Sequence, residues 1–353
     1  MLAPRLFGIE LAGRVIVPVR SGRRTSSVSS VHAAEVAVRS QGPLGKSGSG
    51  ALPTSMPTWS VCIARHGERE DYVDRGWVSR APDPHDPPLT SHGKRQAAAL
   101  GRRLSASNAL DNVGREGGAP PVTRVFTSPL TRCVQTAHEV CQALGPDVSL
   151  NVEPGLMEWS CNQWYASWAV AGTDGTWGGA KHLGSRRERL AAPVERDEAY
   201  HCVSTLLKSP ADLKMNVSDR IDLSYHPLVD LSALGITVKN PESWNNMLRR
   251  TNETMQGLVA RYPGESLLVV THGATVQGCL LSMVPGGDQI PAINYTSLTI
   301  CVKEVEPAVP TGPPAEENLE WTTHLIGCTR HLVGMEGSEQ TVLTAGDNSD
   351  MWK

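Results

Sequence analysis

Short apolar runs alternate with amphipathic stretches through the middle of this 353-residue chain, and this alternation restricts the possible fold most strongly. The apolar runs, each of a length typical of a buried strand, are residues 59–64, 122–126, 148–152, 266–270 and 298–302. Apolar residues at three- and four-residue spacing predict helices after Thr90 and over 130–144, 244–262 and 275–283. Strands that alternate with helices indicate an α/β domain whose mostly parallel sheet is covered on both faces.

Three segments depart from this alternation. Residues 1–57 are rich in Arg and Ser and poor in acidic residues, which predicts either an organelle transit peptide or a disordered extension outside the fold. The expected domain is 58–306, and the weakly periodic stretch 161–241 within it is typical of a functional cap. Prolines and acidic residues predict a C-terminal tail over 307–353, in which 321–345 has enough apolar positions to dock as one strand or helix.

Charge and cysteine content exclude several classes of protein. The chain has 33 basic and 36 acidic residues, a near-balance that argues against a nucleic-acid-binding protein. It has no apolar stretch long enough for a transmembrane helix, so we expect no membrane partner. None of the eight cysteines has a partner at Cys-x-x-Cys spacing, which favours reduced thiols in the cytoplasm. An organelle is the alternative location if residues 1–57 are a transit peptide.

Histidines and arginines follow several predicted strands, at the end where open α/β sheets bind ligands. The first strand runs into Arg65, His66 and Arg69, the second into Arg132, and the fourth into His272. A neutral imidazole can attack phosphorus, and guanidinium groups match the oxygens of a phosphoryl group. One such residue alone is usually structural, but their recurrence at several strand ends favours a phosphoryl-transfer site.

Acidic residues near these strand ends have simpler interpretations. Residues 68–74 contain four carboxylates, which we interpret as a solvated stretch beside the site. Asp83, His85, Asp86 and His92 are metal-ligand types, but the prolines among them favour an ordinary loop, so we expect no metal. Glu153 directly precedes Pro154 and is therefore expected at the end of the third strand.

Together these segments resemble the histidine phosphatase, or phosphoglycerate-mutase-like, superfamily. The likeness rests on three motifs, Arg65-His66-Gly67-Glu68-Arg69, Ser128-Pro129-Leu130 with Arg132, and Thr271-His272-Gly273. Residues 132–137 and 152–159 resemble more closely the branch of the suppressor-of-T-cell-receptor-signalling phosphatases and the insect ecdysteroid-phosphate phosphatases. The resemblance covers residues 58–306.

The resemblance implies a three-layer α/β/α sandwich that hydrolyses phosphomonoesters without a metal or an organic cofactor. It implies a phosphorylated small molecule or a phosphoprotein as substrate, and a homodimer. The catalytic residues that it implies are His66 as the nucleophile that becomes phosphohistidine, Glu158 as proton donor and His272 as the second histidine. The phosphate-binding residues that it implies are Arg65, Arg69 and Arg132.

Two other functions stay open. A phosphoglycerate-type mutase is disfavoured, because mutases of this superfamily usually have Ser at the position of Arg69. A non-catalytic phosphate-binding interaction domain would be expected to lack a pocket residue, and none is missing here. Glu158 also has an alternative role, as the ion-pair partner of a pocket arginine.

Overall fold

The computed structural model describes residues 58–74, 77–81, 83, 86–105, 121–160, 207–236, 240–286, 293–304 and 320–335. The predictions for residues 1–57 and for 161–206 of the insertion lie outside the described residues. Among the described helices, none is both long enough and apolar enough to cross a membrane.

The predicted strands and helices all form, with their ends shifted by a few residues. The strands are β1 (Thr58–Arg65), β2 (Arg124–Thr127), β3 (Ser149–Val152), β4 (Ser266–Thr271), β5 (Leu298–Glu304) and β6 (Thr322–Cys328). The longer helices are α3 (Ser91–Ser105), α4 (Thr131–Leu144), α6 (Trp244–Arg261) and α7 (Gly273–Met283). Three shorter helices, not predicted, are α1 (Glu70–Val73), α2 (Trp77–Arg80) and α5 (Pro210–Asn216).

The six strands form one mixed sheet in the order β3-β2-β4-β1-β5-β6. β3, β2, β4 and β1 are mutually parallel, whereas β5 is antiparallel to both β1 and β6. The prediction of a mostly parallel sheet is therefore confirmed. β6 lies beyond residue 306, where the domain was expected to end. It pairs with β5, so part of the segment assigned to the tail joins the sheet as a strand, which is one of the two forms of docking expected for 321–345.

Helices cover both faces of the sheet, as the expected three-layer sandwich requires. Alternate residues of β1 point to opposite faces. Cys62 and Ala64 join a buried apolar cluster with residues of α3 and α4, whereas Val61 and Ile63 join a second cluster with residues of α6 and α7. Burial of each large aliphatic side chain in these clusters stabilises the fold by roughly 1.5–3 kcal/mol.

The described part of the insertion, residues 207–236, packs beside the carboxyl ends of β2 and β3. Val229, Leu231 and Ile236 form a small apolar cluster with Leu130 and Met157, which follow those two strands. This segment therefore packs against residues that follow the carboxyl ends of β2 and β3, and its function as a cap stays a prediction.

Candidate active site

The sheet order places three polar strand ends side by side. Arg65 pairs with Thr271 at the ends of β1 and β4, so that His66 and His272 follow on adjacent strands. Ser128 follows β2, which is the other neighbour of β4. The two imidazole rings lie with their centroids 5.3 Å apart, and both side chains are buried.

One nitrogen of His66 is fixed by the backbone, and this determines which nitrogen can react. Nδ1 lies 2.7 Å from the carbonyl oxygen of Gly67. Because a carbonyl only accepts hydrogen bonds, Nδ1 carries the proton and Nε2 keeps its lone pair. Burial, together with the positive charges of Arg132 and Arg65, lowers the pKa of His66 well below 6.5, so the ring is neutral at pH 7.

Two polar groups determine which nitrogen of His272 carries the proton. Arg132 Nη2 lies 3.2 Å from Nδ1, and since a guanidinium only donates, Nδ1 is the acceptor. Nε2 therefore carries the proton and donates to Ser128 Oγ over 2.7 Å. Burial and the charge of Arg132 lower the pKa of His272 well below 6.5, which keeps this ring neutral as well.

Arg65 and Arg69 are buried, and each guanidinium group is held by hydrogen bonds and by contact with a tyrosine ring. Arg69 donates from Nε to Asp71 Oδ1 over 2.9 Å and from Nη2 to the second carboxylate oxygen, and its guanidinium lies 4.8 Å from the centre of the Tyr72 ring. Arg65 donates to the carbonyl of Ile293 over 2.7 Å and stacks 4.4 Å from the centre of the Tyr295 ring. These contacts fix the direction of both guanidinium groups.

Several donors beside His66 have no hydrogen-bond partner among the described residues. They are Nε of Arg65, Nε and Nη1 of Arg132, and the Tyr295 hydroxyl. Buried donors without partners are uncommon in folded proteins, because their desolvation is not compensated. Unpaired guanidinium N–H groups next to a neutral imidazole suit a compact anion with several oxygens, such as a phosphoryl group.

Glu158 is the carboxylate that reaches this cluster. Its Oε2 lies 3.4 Å from His272 Nδ1, and its Oε1 accepts a 3.1 Å hydrogen bond from the Trp159 amide. Burial raises the pKa of Glu158 to about 7, against the opposing charge of Arg132. Because His272 is neutral, the contact between them is not an ion pair at pH 7, and a substantial fraction of Glu158 carries a proton.

Glu153 lies directly after β3, as predicted, and it is fully buried in a structural network. Its Oε2 accepts hydrogen bonds from the Tyr225 hydroxyl at 2.6 Å and the Leu228 amide at 2.7 Å. Oε1 accepts from the Gly155 amide at 2.9 Å. The carboxylate therefore connects the end of β3 to residues 225–229 of the insertion, and its oxygens are occupied by these contacts.

Two acidic residues differ from their interpretation in the sequence. Asp71 is only 3% exposed and pairs with Arg69, so the prediction of a solvated stretch is wrong at this position. Asp86, considered as a metal ligand, instead accepts from the Thr131 amide over 2.7 Å and from Lys208 Nζ over 3.0 Å. Within the described residues, no group of three or more His, Cys, Asp or Glu side chains is arranged to hold a metal ion.

Tyr295 is the pocket residue that sequence reasoning missed. It stacks on Arg65 and lies 5.8 Å from the His66 ring, centre to centre. It precedes β5, which is antiparallel to β1, so this loop returns to the end of β1 where Arg65 lies. In the sequence, the only sign of this role was the position of Tyr295 just before the last predicted strand. That sign would have been stronger if the sequence had shown that this strand pairs antiparallel with β1.

Arg132→Lys is expected to lower kcat/KM for a phosphomonoester by at least about tenfold while the protein stays folded. Lysine keeps the charge but loses the planar fork, and one charge-assisted contact is worth roughly 1.5–3 kcal/mol. Steady-state kinetics and a thermal melt measure the two effects. Arg95→Lys, at an exposed position of α3, is the matched control. Unchanged kinetics in Arg132→Lys would contradict phosphate binding by Arg132.

The fold and the site define an α/β protein with two neutral histidines and three buried arginines at the carboxyl edge of its sheet. Residues 61–181 match the sequence profile of the histidine phosphatase superfamily (branch 1). This match confirms the resemblance recognised from the sequence motifs.

Known proteins are also similar to this chain in sequence. The chain is 25% identical over 248 residues to mouse ubiquitin-associated and SH3 domain-containing protein B, covering 62% of this chain and 31% of that protein. It is 26% identical over 269 residues to the human protein A of the same name, covering 67% of this chain and 33% of the relative. The chain thus spans about a third of the length of these curated relatives.

Solved structures also resemble the chain. The ecdysone phosphate phosphatase from Bombix mori, in complex with tungstate, is 20% identical and gives a TM-score of 0.45 over 72% of this chain and 95% of that one. The phosphoglycerate mutase from Bacillus anthracis is 17% identical, with a TM-score of 0.43 over 80% of this chain and 98% of that one.

Proposed function

We propose that the protein hydrolyses phosphomonoesters through a phosphohistidine intermediate on His66. The observation that carries this proposal is the set of unpaired buried guanidinium N–H groups on Arg65 and Arg132, next to an imidazole whose Nδ1–H is tied to Gly67. The match of residues 61–181 to the histidine phosphatase superfamily profile supports the same activity.

In the first step, Nε2 of His66 attacks the phosphorus atom of the ester. The bond from phosphorus to the leaving oxygen breaks, and that oxygen takes the proton of Glu158. Arg65, Arg69 and Arg132 bind the phosphoryl oxygens, whose negative charge is spread over them during transfer. The product alcohol leaves, and His66 carries the phosphoryl group on Nε2.

In the second step, water attacks the phosphohistidine. Glu158, now a carboxylate, accepts a proton from the water, and the bond between phosphorus and Nε2 breaks. Inorganic phosphate leaves and both side chains return to their starting state. His272 donates from Nε2 to Ser128 and accepts from Arg132, so we assign it the role of orienting Arg132 beside the reacting group.

The pKa directions predict an acidic to neutral working range, as in an acid-type phosphatase. The pKa of His66 lies well below 6.5, so the nucleophile stays neutral at mildly acidic pH. The pKa of Glu158 is about 7, so the proton donor is present below pH 7 and is lost as the pH rises above it. For an alkyl phosphate, kcat/KM should fall by about tenfold per pH unit above pH 8. A flat profile from pH 6 to pH 9 would contradict Glu158 as donor.

The unpaired guanidinium groups beside His66 indicate a substrate that carries a phosphoryl group, and a panel of phosphomonoesters tests which class it belongs to. We propose a phosphorylated small molecule or a phosphoprotein as substrate, and neither a nucleic acid nor a membrane as partner. We also propose that the protein forms a homodimer and lies in the cytoplasm. Steroid phosphates are one class for the panel, because the sequence motifs resemble those of the insect ecdysteroid-phosphate phosphatases. Sugar phosphates, nucleotides and phosphopeptides complete it.

The full chain should release inorganic phosphate from at least one ester of this panel with a chelator present. A parallel assay with 3-phosphoglycerate tests the mutase alternative, which predicts 2-phosphoglycerate and no net phosphate release. Binding of phosphate without turnover of any ester would favour the non-catalytic alternative and contradict the proposed hydrolase.

A further inference from the structure

A fourth buried arginine lies outside the phosphate-binding set. Arg250 is on α6, is only 1% exposed and has acceptors for all of its N–H groups. Nε and Nη2 donate to the two carboxylate oxygens of Glu242 over 2.7 and 2.8 Å. This arginine therefore has no donor left for a substrate, in contrast to Arg132, whose Nε and Nη1 are unpaired.

The remaining donors of Arg250 go to the backbone around Glu158. Nη1 donates to the carbonyls of Gly155 and Met157 over 2.7 and 2.9 Å. Nη2 also lies 3.5 Å from the carbonyl of Glu158 itself. We call residues 155–160 the acid loop. After the short turn at 154–156 the acid loop has no regular secondary structure, so its buried carbonyls need hydrogen-bond partners from elsewhere in the fold.

Glu242 holds the same loop from its other end. Its Oε2 accepts from the Ser160 amide over 3.2 Å, and its own amide donates to the Ser160 carbonyl over 2.9 Å. The indole Nε1 of Trp159 donates to the Glu242 carbonyl over 2.9 Å. The Arg250–Glu242 pair thus contacts the acid loop on both sides of Glu158.

We propose that Arg250 and Glu242 are positioning residues that hold the acid loop so that the Glu158 carboxyl lies against His272. This inference rests on the proposed function, in which Glu158 delivers the proton. Proton transfer requires placement of the donor within a fraction of an ångström, whereas a buried ion pair by itself adds little to stability compared with apolar residues of similar size. A positioning role therefore accounts for a costly pair at this place better than a stabilising role does.

The test compares an aryl phosphate, whose leaving group needs no proton, with an alkyl phosphate, whose leaving group does. Glu242→Gln should lower kcat/KM for the alkyl ester by at least about tenfold and for the aryl ester by less than about threefold. The matched control is Glu265→Gln, which also removes a carboxylate from an arginine, Arg124, at the opposite end of β4. Its ratio of aryl to alkyl kcat/KM should equal that of the wild type.

A double variant separates positioning of Glu158 from general damage. In Glu158→Gln/Glu242→Gln, the aryl-to-alkyl ratio should equal that of Glu158→Gln alone, because a donor that is already absent cannot be misplaced. A ratio that increases further in the double variant would overturn the inference. So would a wild-type ratio in a folded Glu242→Gln. If Glu242→Gln does not fold, Trp159→Phe removes one contact with Glu242 and must raise the ratio in the same direction.

Amide hydrogen exchange tests the loop independently of turnover. Residues 157–160 should exchange at least about tenfold faster in Glu242→Gln than in the wild type, and at the wild-type rate in Glu265→Gln. Unchanged exchange in Glu242→Gln would overturn the inference even if the enzyme is active. If the wild-type protein hydrolysed no ester but residues 157–160 still exchanged faster in Glu242→Gln, the proposed function would be contradicted. The conclusion that Glu242 holds the acid loop would then still stand.

Discussion

His66→Ala is expected to abolish turnover, with kcat on an aryl phosphate reduced by at least about a thousandfold, because the covalent nucleophile is removed. Wild-type turnover should be unchanged by a chelator, since the proposed steps use only side chains of the chain. His226→Ala, at an exposed histidine of the insertion, is the matched control and should leave kcat at the wild-type value.

A labelling experiment then tests the intermediate directly. Wild-type protein quenched in alkali during turnover of a 32P-labelled ester should retain label, because phosphohistidine is stable to base. His66→Ala should retain none. Substantial activity in His66→Ala, or equal labelling of the two proteins, would show that the nucleophile is another group. Activity that requires an added divalent cation would contradict a metal-independent reaction.

The sheet was predictable because local pattern and tertiary environment agree along the central strands. β1 is apolar from Val61 to Ala64 and β4 from Leu267 to Val270, which matches strands covered by helices on both faces. Their polar extensions, His66 and His272, then lie at one edge simply because parallel strands end together. The two histidines of the candidate site could therefore be placed from order along the chain alone.

Contacts between distant residues were not predictable in the same way. Asp71 resembles its acidic neighbours in sequence, and only the burial of Arg69 distinguishes it from them. Arg250 lies 92 positions from Glu158 in the sequence, on a helix whose other charged residues are consistent with a solvated face. A charged residue at a buried helix position carries no local signal for its partner, so its role becomes visible only when the acid loop is placed beside it.

Glu158→Gln should separate esters by their leaving groups. An alkoxide is strongly basic and is therefore a poor leaving group unless it is protonated. For this reason kcat/KM for an alkyl phosphate should fall by about 10²–10⁴-fold, the usual contribution of general acid catalysis. A nitrophenyl oxygen leaves as a stable anion, so the aryl ester should lose much less. The high-pH decline of alkyl ester hydrolysis, which follows the pKa of about 7 at Glu158, should disappear in this variant.

Glu153→Gln is the informative comparison because both carboxylates are buried and only five positions apart. The Glu153 oxygens accept from the Tyr225 hydroxyl and from backbone amides, and an amide side chain would place a donor against one of these donors. Glu153→Gln should therefore lower the free energy of unfolding by about 1–3 kcal/mol and leave the aryl-to-alkyl ratio at its wild-type value. If Glu153→Gln changed this ratio, or if both variants changed it equally, Glu158 would not be the proton donor, because a donor must act selectively on the ester whose leaving oxygen needs the proton.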